Sequence, residues 1–151
     1  MLKYNANMRG PDFVALCVAL LSTACFLQNA SPQVRASDAV MEVNDHSRWG
    51  RAHAALGRVT PAYQARFLQR RSEWGKDVQV ADVEIQSMRL IDDDDQALAV
   101  VDVSWYLLRD MQLQHTFIRQ KWIRNGDSFL LASEAIIDGD KSIFVSKSHS
   151  H

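Results

Sequence analysis

The chain has 151 residues, with 17 Lys and Arg against 18 Asp and Glu, for a formal net charge of −1. That balance offers none of the basic surplus that nucleic acid or an anionic lipid surface would select. The length fits one domain able to bury its own core without disulfides.

The first element is a short apolar segment. Lys3 and Arg9 precede an uncharged run from Phe13 to Ala24, which ends in Leu21-Ser22-Thr23-Ala24-Cys25. The run is too short to span a bilayer comfortably and stops at small residues, the layout of a secretory signal. It resembles a bacterial lipoprotein signal peptide, with Ser22 where leucine usually stands and Asp12 ahead of the apolar core. The resemblance implies cleavage before Cys25, lipidation of that cysteine and a cell-envelope location. Phe26, in place of a retention aspartate, points to the periplasmic face of the outer membrane. Both cysteines of the chain, Cys17 and Cys25, fall inside this segment. A processed and acylated chain would therefore carry neither disulfide nor free thiol. Loss of residues 1–24 removes Lys3, Arg9 and Asp12, so 17 basic and 18 acidic side chains become 15 and 17.

Residues 25–43 comprise the lipidated cysteine and a stretch rich in Ala, Ser, Asn and Gln, which reads as a flexible tether. The domain proper is expected over 44–140, with a tail at 141–151. Asn44 or Asp45 can cap a first helix carrying Trp49, Ala52, Leu56 and Val59 inward, with Gly57 at its end. Thr60-Pro61 starts a second, with proline at its preferred first position. Tyr63, Phe67, Leu68 and Trp74 would face inward, Arg66, Arg70 and Arg71 outward, and Gly75 would stop it.

The period then changes. Segments 78–91, 97–108, 115–124 and 128–137 are rich in β-branched and aromatic residues, with partial alternation. Asp92-Asp93-Asp94-Asp95, Arg109-Asp110-Met111-Gln112 and Asn125-Gly126-Asp127 separate them, and Asn-Gly is a strong hairpin signal. The expected class is α+β: two N-terminal helices packed on a curved, cone-like four-stranded antiparallel meander.

That order of elements, with the stretch Gln120-Lys121-Trp122-Ile123-Arg124-Asn125-Gly126-Asp127-Ser128-Phe129, resembles the nuclear-transport-factor-two-like (SnoaL-like) family over about residues 45–138. The helical part is short for that family, which commonly has a third helix. The resemblance implies a pocket between sheet and helices, and a sheet whose outer face can dimerise. Arg119, Lys121, Tyr106 and Ile123 lie on strands that could build such a face.

The pocket candidates are Trp105, Thr116, Gln120, Trp122 and Glu134. The aromatics could line a ligand site for a small apolar molecule, or simply fill the core. A hairpin turning on Asn125-Gly126 alone sets Glu134 opposite Phe117, with Arg119 diagonal. One extra loop residue sets it opposite Ile118, with Thr116 and Gln120 diagonal. An inward Glu134 needs partners, since an unpaired buried charge is costly; an outward one would be solvated or paired with Arg119. Ketosteroid-isomerase relatives would use an Asp base with an oxyanion-binding Tyr and acid. Asp102, Tyr63 and Tyr106 are present here, but no spacing identifies that trio. The aspartate run lacks the ligand alternation of a calcium loop, and His149 and His151 make a poor metal site. No catalytic residue, metal or cofactor is assigned. The expected function is a lipid-anchored envelope protein binding a small apolar ligand, a second copy of itself or another envelope protein. The alternatives are a small isomerase or hydrolase-like enzyme using Glu134 or Asp102, and a structural subunit of an envelope assembly.

Overall fold

The computed structural model describes residues 30–144. The signal segment, Cys25 and the histidines of the tail lie outside the described residues.

Helix α1 spans Pro32–Arg48. Ser31 caps it, accepting the Val34 N–H at 3.4 Å, and Pro32 occupies the first turn, where its missing N–H costs nothing. Ala36, Ala39, Val40, Val43, Asn44 and Ser47 recur at helical spacing and are buried. The stretch 32–43 is thus a docked helix, not a tether: its small residues let the backbone approach the sheet closely. Helix α1 ends at Trp49, and Gly50 takes a left-handed φ of +66°. The expected first helix from Asn44 to Gly57 is therefore broken in two. Its second part, Ala52–Arg58, is a 3₁₀ segment. Trp49, expected inward, is 61% exposed and donates its indole N–H to Asp45 Oδ1 at 3.1 Å.

Helix α2 spans Pro61–Arg70, with Thr60 as N-cap and Pro61 first, as the sequence predicts. It stops at Arg71 rather than at Gly75, which instead takes a φ of +77° in the turn leading to the sheet.

Four strands follow, β1 (Val78–Ile91), β2 (Gln96–Leu107), β3 (Gln114–Asn125) and β4 (Ser128–Gly139), joined as an antiparallel meander in sequence order. Along β2 and β3 the inner positions Ala97, Ala99, Val101, Val103, Trp105 and Thr116, Ile118, Gln120, Trp122 are buried, while alternate residues point outward. The α+β class follows from this alternation and from the helices lying against one sheet face.

Register departs from both sequence alternatives. Asn125 pairs with Ser128, so the turn is Gly126-Asp127, with positive φ at Gly126 alone, the preference of a II′ turn. Pairing slips between Trp122–Leu131 and Lys121–Ser133, and again between Ile118–Ile136 and Phe117–Asp138. Ala132 and Ile137 are therefore bulged residues, and Ala81 and Gln86 bulge in β1 in the same way. Each bulge bends and twists its strand. The first slip sets Glu134 opposite Gln120, not Phe117 or Ile118.

A closing 3₁₀ turn, Lys141–Phe144, extends the domain beyond residue 140. Ile143 is buried, its carbonyl accepts the Trp74 indole N–H at 3.1 Å, and Phe144 stacks on Trp74 with ring centroids 6.1 Å apart.

Candidate functional site

All five pocket candidates face the core, in separate groups. Trp105 donates its indole N–H to Thr116 Oγ1 at 2.9 Å, and the Thr116 hydroxyl donates a hydrogen bond to the Asp140 carbonyl at 2.6 Å. This chain ties β2 and β3 to the residue just past β4. Trp122 sits apart, fully buried, paired across the sheet with Ala97 and Leu131. Gln120 and Glu134 belong to a third group, which is the polar centre of the molecule.

Glu134 and Arg71 form a bidentate pair at 2.7 and 2.6 Å, with both side chains wholly removed from solvent. Arg71, expected outward, is the residue the sequence reading missed. Tyr63, Phe67 and Arg71 follow one another at steps of four, so they share a helical face; charge alone suggested the other side. Its guanidinium lies over two aromatic rings, 4.0 Å from the Phe67 ring centroid and 5.0 Å from that of Trp74.

Every oxygen of Glu134 is engaged. Tyr63 donates its hydroxyl proton to Oε2 at 3.1 Å, and Gln120 Nε2 donates to Oε1 at 3.0 Å. Gln120 and Asn44 then exchange amide hydrogen bonds in both directions, at 3.1 and 3.0 Å. Asn44 anchors to the Val40 carbonyl at 2.8 Å. Arg71 Nε donates to Ser47 Oγ at 3.0 Å, and that hydroxyl donates to the Val43 carbonyl at 2.7 Å. Arg70 Nη1 closes the far side, reaching the Tyr63 hydroxyl oxygen at 3.0 Å and the Glu134 carbonyl at 2.9 Å. Helix α1, helix α2, β3 and β4 are joined through one carboxylate.

Electrostatics follow from this geometry. Burial acts to raise the Glu134 pKa, but the Arg71 guanidinium and the hydrogen bonds from Arg71, Gln120 and Tyr63 outweigh it and hold the carboxyl below its ordinary value. Burial, reinforced by the Glu134 charge, pushes Tyr63 up to about 12. At neutral pH the cluster is an ionised pair whose carboxylate also accepts from two neutral donors, Tyr63 and Gln120. A general base needs a lone pair facing substrate, and both Glu134 oxygens are already occupied.

Cavities lie at the periphery. One of about 260 Å³ is lined by Glu73, Asp77, Val78, Leu107, Leu108, Arg109 and Ser142. Another, of about 190 Å³, lies between α1 and β1. A third, of about 570 Å³, borders α2 and the end of β4. None of the five pocket candidates lines any of these three.

The other strand acids are scattered. Asp102 faces outward and pairs with His115 Nδ1 at 3.2 Å, away from Tyr63 and its hydroxyl. Among the described residues no group of three His, Cys, Asp or Glu side chains could hold a metal ion, and no helix is long and apolar enough to cross a membrane. The molecule is thus an α+β domain whose buried polar centre is spent on joining its own elements. No protein-family model and no curated protein matches the chain.

Proposed function

We propose that this chain is a non-catalytic, lipid-anchored protein of the bacterial cell envelope, whose cone-like domain works through its outer sheet face by pairing with a second copy. The observation that carries this reading is the contrast between the two faces of the sheet. Inside, the polar groups of the Glu134 cluster are paired with one another. Outside, Arg89, Arg119 and Lys121 have no ion pair among the described residues, while Asp102 pairs with His115.

The pairing Arg89–Leu98–Lys121–Ser133 forms one cross-strand row of the outer face, and Ser87–Val100–Arg119–Ala135 forms the next. One further step brings Glu84–Asp102–Phe117–Asp138. Arg89, Arg119 and Lys121 form no ion pair among the described residues. Two neighbouring rows of the face are therefore basic and the third acidic, with Leu98, Val100 and Phe117 as apolar members of the three rows. A two-fold axis lying in the interface and crossing the strands reverses their direction. It lays the basic rows of each copy over the acidic row of the other, an isologous contact satisfied twice. Four strands about 4.8 Å apart and roughly 30 Å long offer on the order of 600 Å² per copy in projection, near the lower size for a specific interface. The element order and the bulged, bent edge strands support the nuclear-transport-factor-two-like reading of the domain.

Charge exchange tests the pairing. Full-length chain with R119E and K121E is expected to sediment as a monomer, as is chain with E84K and D138K. Mixed, the two variants present complementary ends on both sides and are expected to form a heterodimer. Monomeric wild type, or failure of the mixture to pair, overturns the self-association reading and leaves a different envelope protein as partner. Lipidation is tested separately by intact mass of chain purified from host membranes. The expected species begins at Cys25 with added acyl mass and is lost in C25S; an unprocessed chain overturns the anchor.

A further inference from the structure

The cavity of about 570 Å³ beside α2 is lined by Ala65, Arg66, Gln69, Arg70, Ile136 and Phe144. Its chemistry is lopsided: two guanidiniums, one neutral amide, an apolar floor and no carboxylate. Arg66 is exposed and has no hydrogen bond or ion pair among the described residues. Arg70 is held differently. Its Nη1 is fixed by the Tyr63 hydroxyl and the Glu134 carbonyl, both formally neutral, and its guanidinium lies 4.9 Å from the Phe144 ring centroid. The two cations stand at i and i+4 on α2, where like charges repel. The neighbouring carboxylate, Glu134, is already matched by Arg71.

We infer that this cavity binds a small anionic amphiphile, with its oxyanion between Arg66 and Arg70 and its apolar part along Ile136, Phe144 and Ala65. Planar guanidinium forks suit carboxylate and phosphate oxygens, and the anion relieves the i, i+4 repulsion. Arg70 is pre-oriented by its bonds to the Tyr63 and Glu134 oxygens, so little rotamer freedom is lost when it binds. Gln69 adds a neutral donor at the rim. The volume falls in the range of small-molecule sites. The site lies on the flank of α2, outside the filled interior and away from the outer sheet face, so it does not depend on self-association.

The test uses full-length chain with decanoate and decyl phosphate, both below their micellar concentrations, and decanol as the uncharged control. Titration calorimetry reads binding, and the R66E and I136D variants report its location. Saturable binding of at least one anion, at least tenfold tighter than decanol, is expected. R66E is expected to weaken it at least tenfold with an unchanged thermal midpoint, and I136D is expected to weaken it likewise. Unaltered binding by R66E overturns the proposal, as does equal affinity for decanol or for inorganic phosphate. Binding only to anionic vesicles, with neither dissolved amphiphile retained, overturns it as well.

Discussion

Replacing Arg71 with Met is expected to lower the stability of the domain by about 3–5 kcal/mol, the cost of leaving a buried carboxylate without its counter-charge. The loss reaches beyond one ion pair. Ser47 loses its donor, and Phe67 and Trp74 lose the cation over their rings, although the Met side chain refills part of the volume. The double variant R71M/E134L removes both charges together and is expected to recover much of the loss, since buried pairs often add little over an apolar core of similar shape. Urea unfolding of wild type, both single variants and the double variant yields the coupling directly. The pH dependence has a fixed sign. Glu134 has a lowered pKa in the folded state, so its contribution is present above the ordinary value of 4.5 and drains away as pH falls through the folded value. Tyr63 is raised from 10.0 to about 12, so its contribution is complete below pH 10 and is lost as pH climbs toward about 12. R71M should invert the acid limb: with no counter-charge, the buried carboxyl favours protonation, and the variant recovers stability relative to wild type on acidification. A parallel acid limb in wild type and R71M would refute the ionised-pair account.

Gly139→Ala is expected to be the other severe single change. Gly139 ends β4 with a φ of +80°, opposite Thr116, and a Cβ built there would lie 2.2 Å from the His115 carbonyl oxygen and 3.0 Å from the Thr116 Cα. Both obstacles are backbone and neither can swing aside. The left-handed conformation alone costs a non-glycine residue about 1–3 kcal/mol, and forcing the strands apart adds a term of similar size. A loss of about 2–5 kcal/mol is expected. The damage has a location: Asp140 N–H donates to the His115 carbonyl at 2.9 Å, and the Asp140 carbonyl receives the Thr116 hydroxyl. Amide exchange in the variant should therefore rise first around residues 114–117 and 139–143, before the centre of β2. Gly57→Ala is the matched control, because nothing lies within 4 Å of its added methyl. Equal stability losses in the two variants would refute the steric argument.

The strands were legible because their chemistry repeats every second residue. The β-branched runs, broken by aspartates and Asn-Gly, place β1 to the residue and the other three within two residues at each end. Register was not legible, because a bulge is a property of two strands together, and nothing in Ala132 or Ile137 marks it locally. Helix α1 is masked in the sequence for a different reason. Its buried face is made of Ala36, Ala39, Val40, Val43, Asn44 and Ser47, residues too small or too polar to raise the hydrophobicity of the segment, yet their spacing is helical throughout. Composition spoke for a tether and periodicity for a helix, and periodicity was the better guide. Glu134 was recognisable as a residue in need of partners. Its real partner was legible too, in the four-residue step from Phe67 to Arg71, but an arginine at the end of a helix looks like a surface residue. Asn44 and Ser47 could be connected to the site only after α1 existed to carry them.

The four bulged residues also determine how the molecule can grow. Ala81 and Gln86 interrupt β1, and Ala132 and Ile137 interrupt β4, whereas the pairing of β2 with β3 is continuous. The irregularities thus fall on the two strands whose free sides border the sheet. A straight border is a template onto which another chain can zip, residue after residue, without limit. These borders are kinked twice each, so an incoming strand would lose step after a few residues. The face-to-face contact proposed for the outer sheet face differs in kind, because it uses up its own surface once formed. Under the proposed pairing, association should therefore stop at closed pairs rather than run on into fibres.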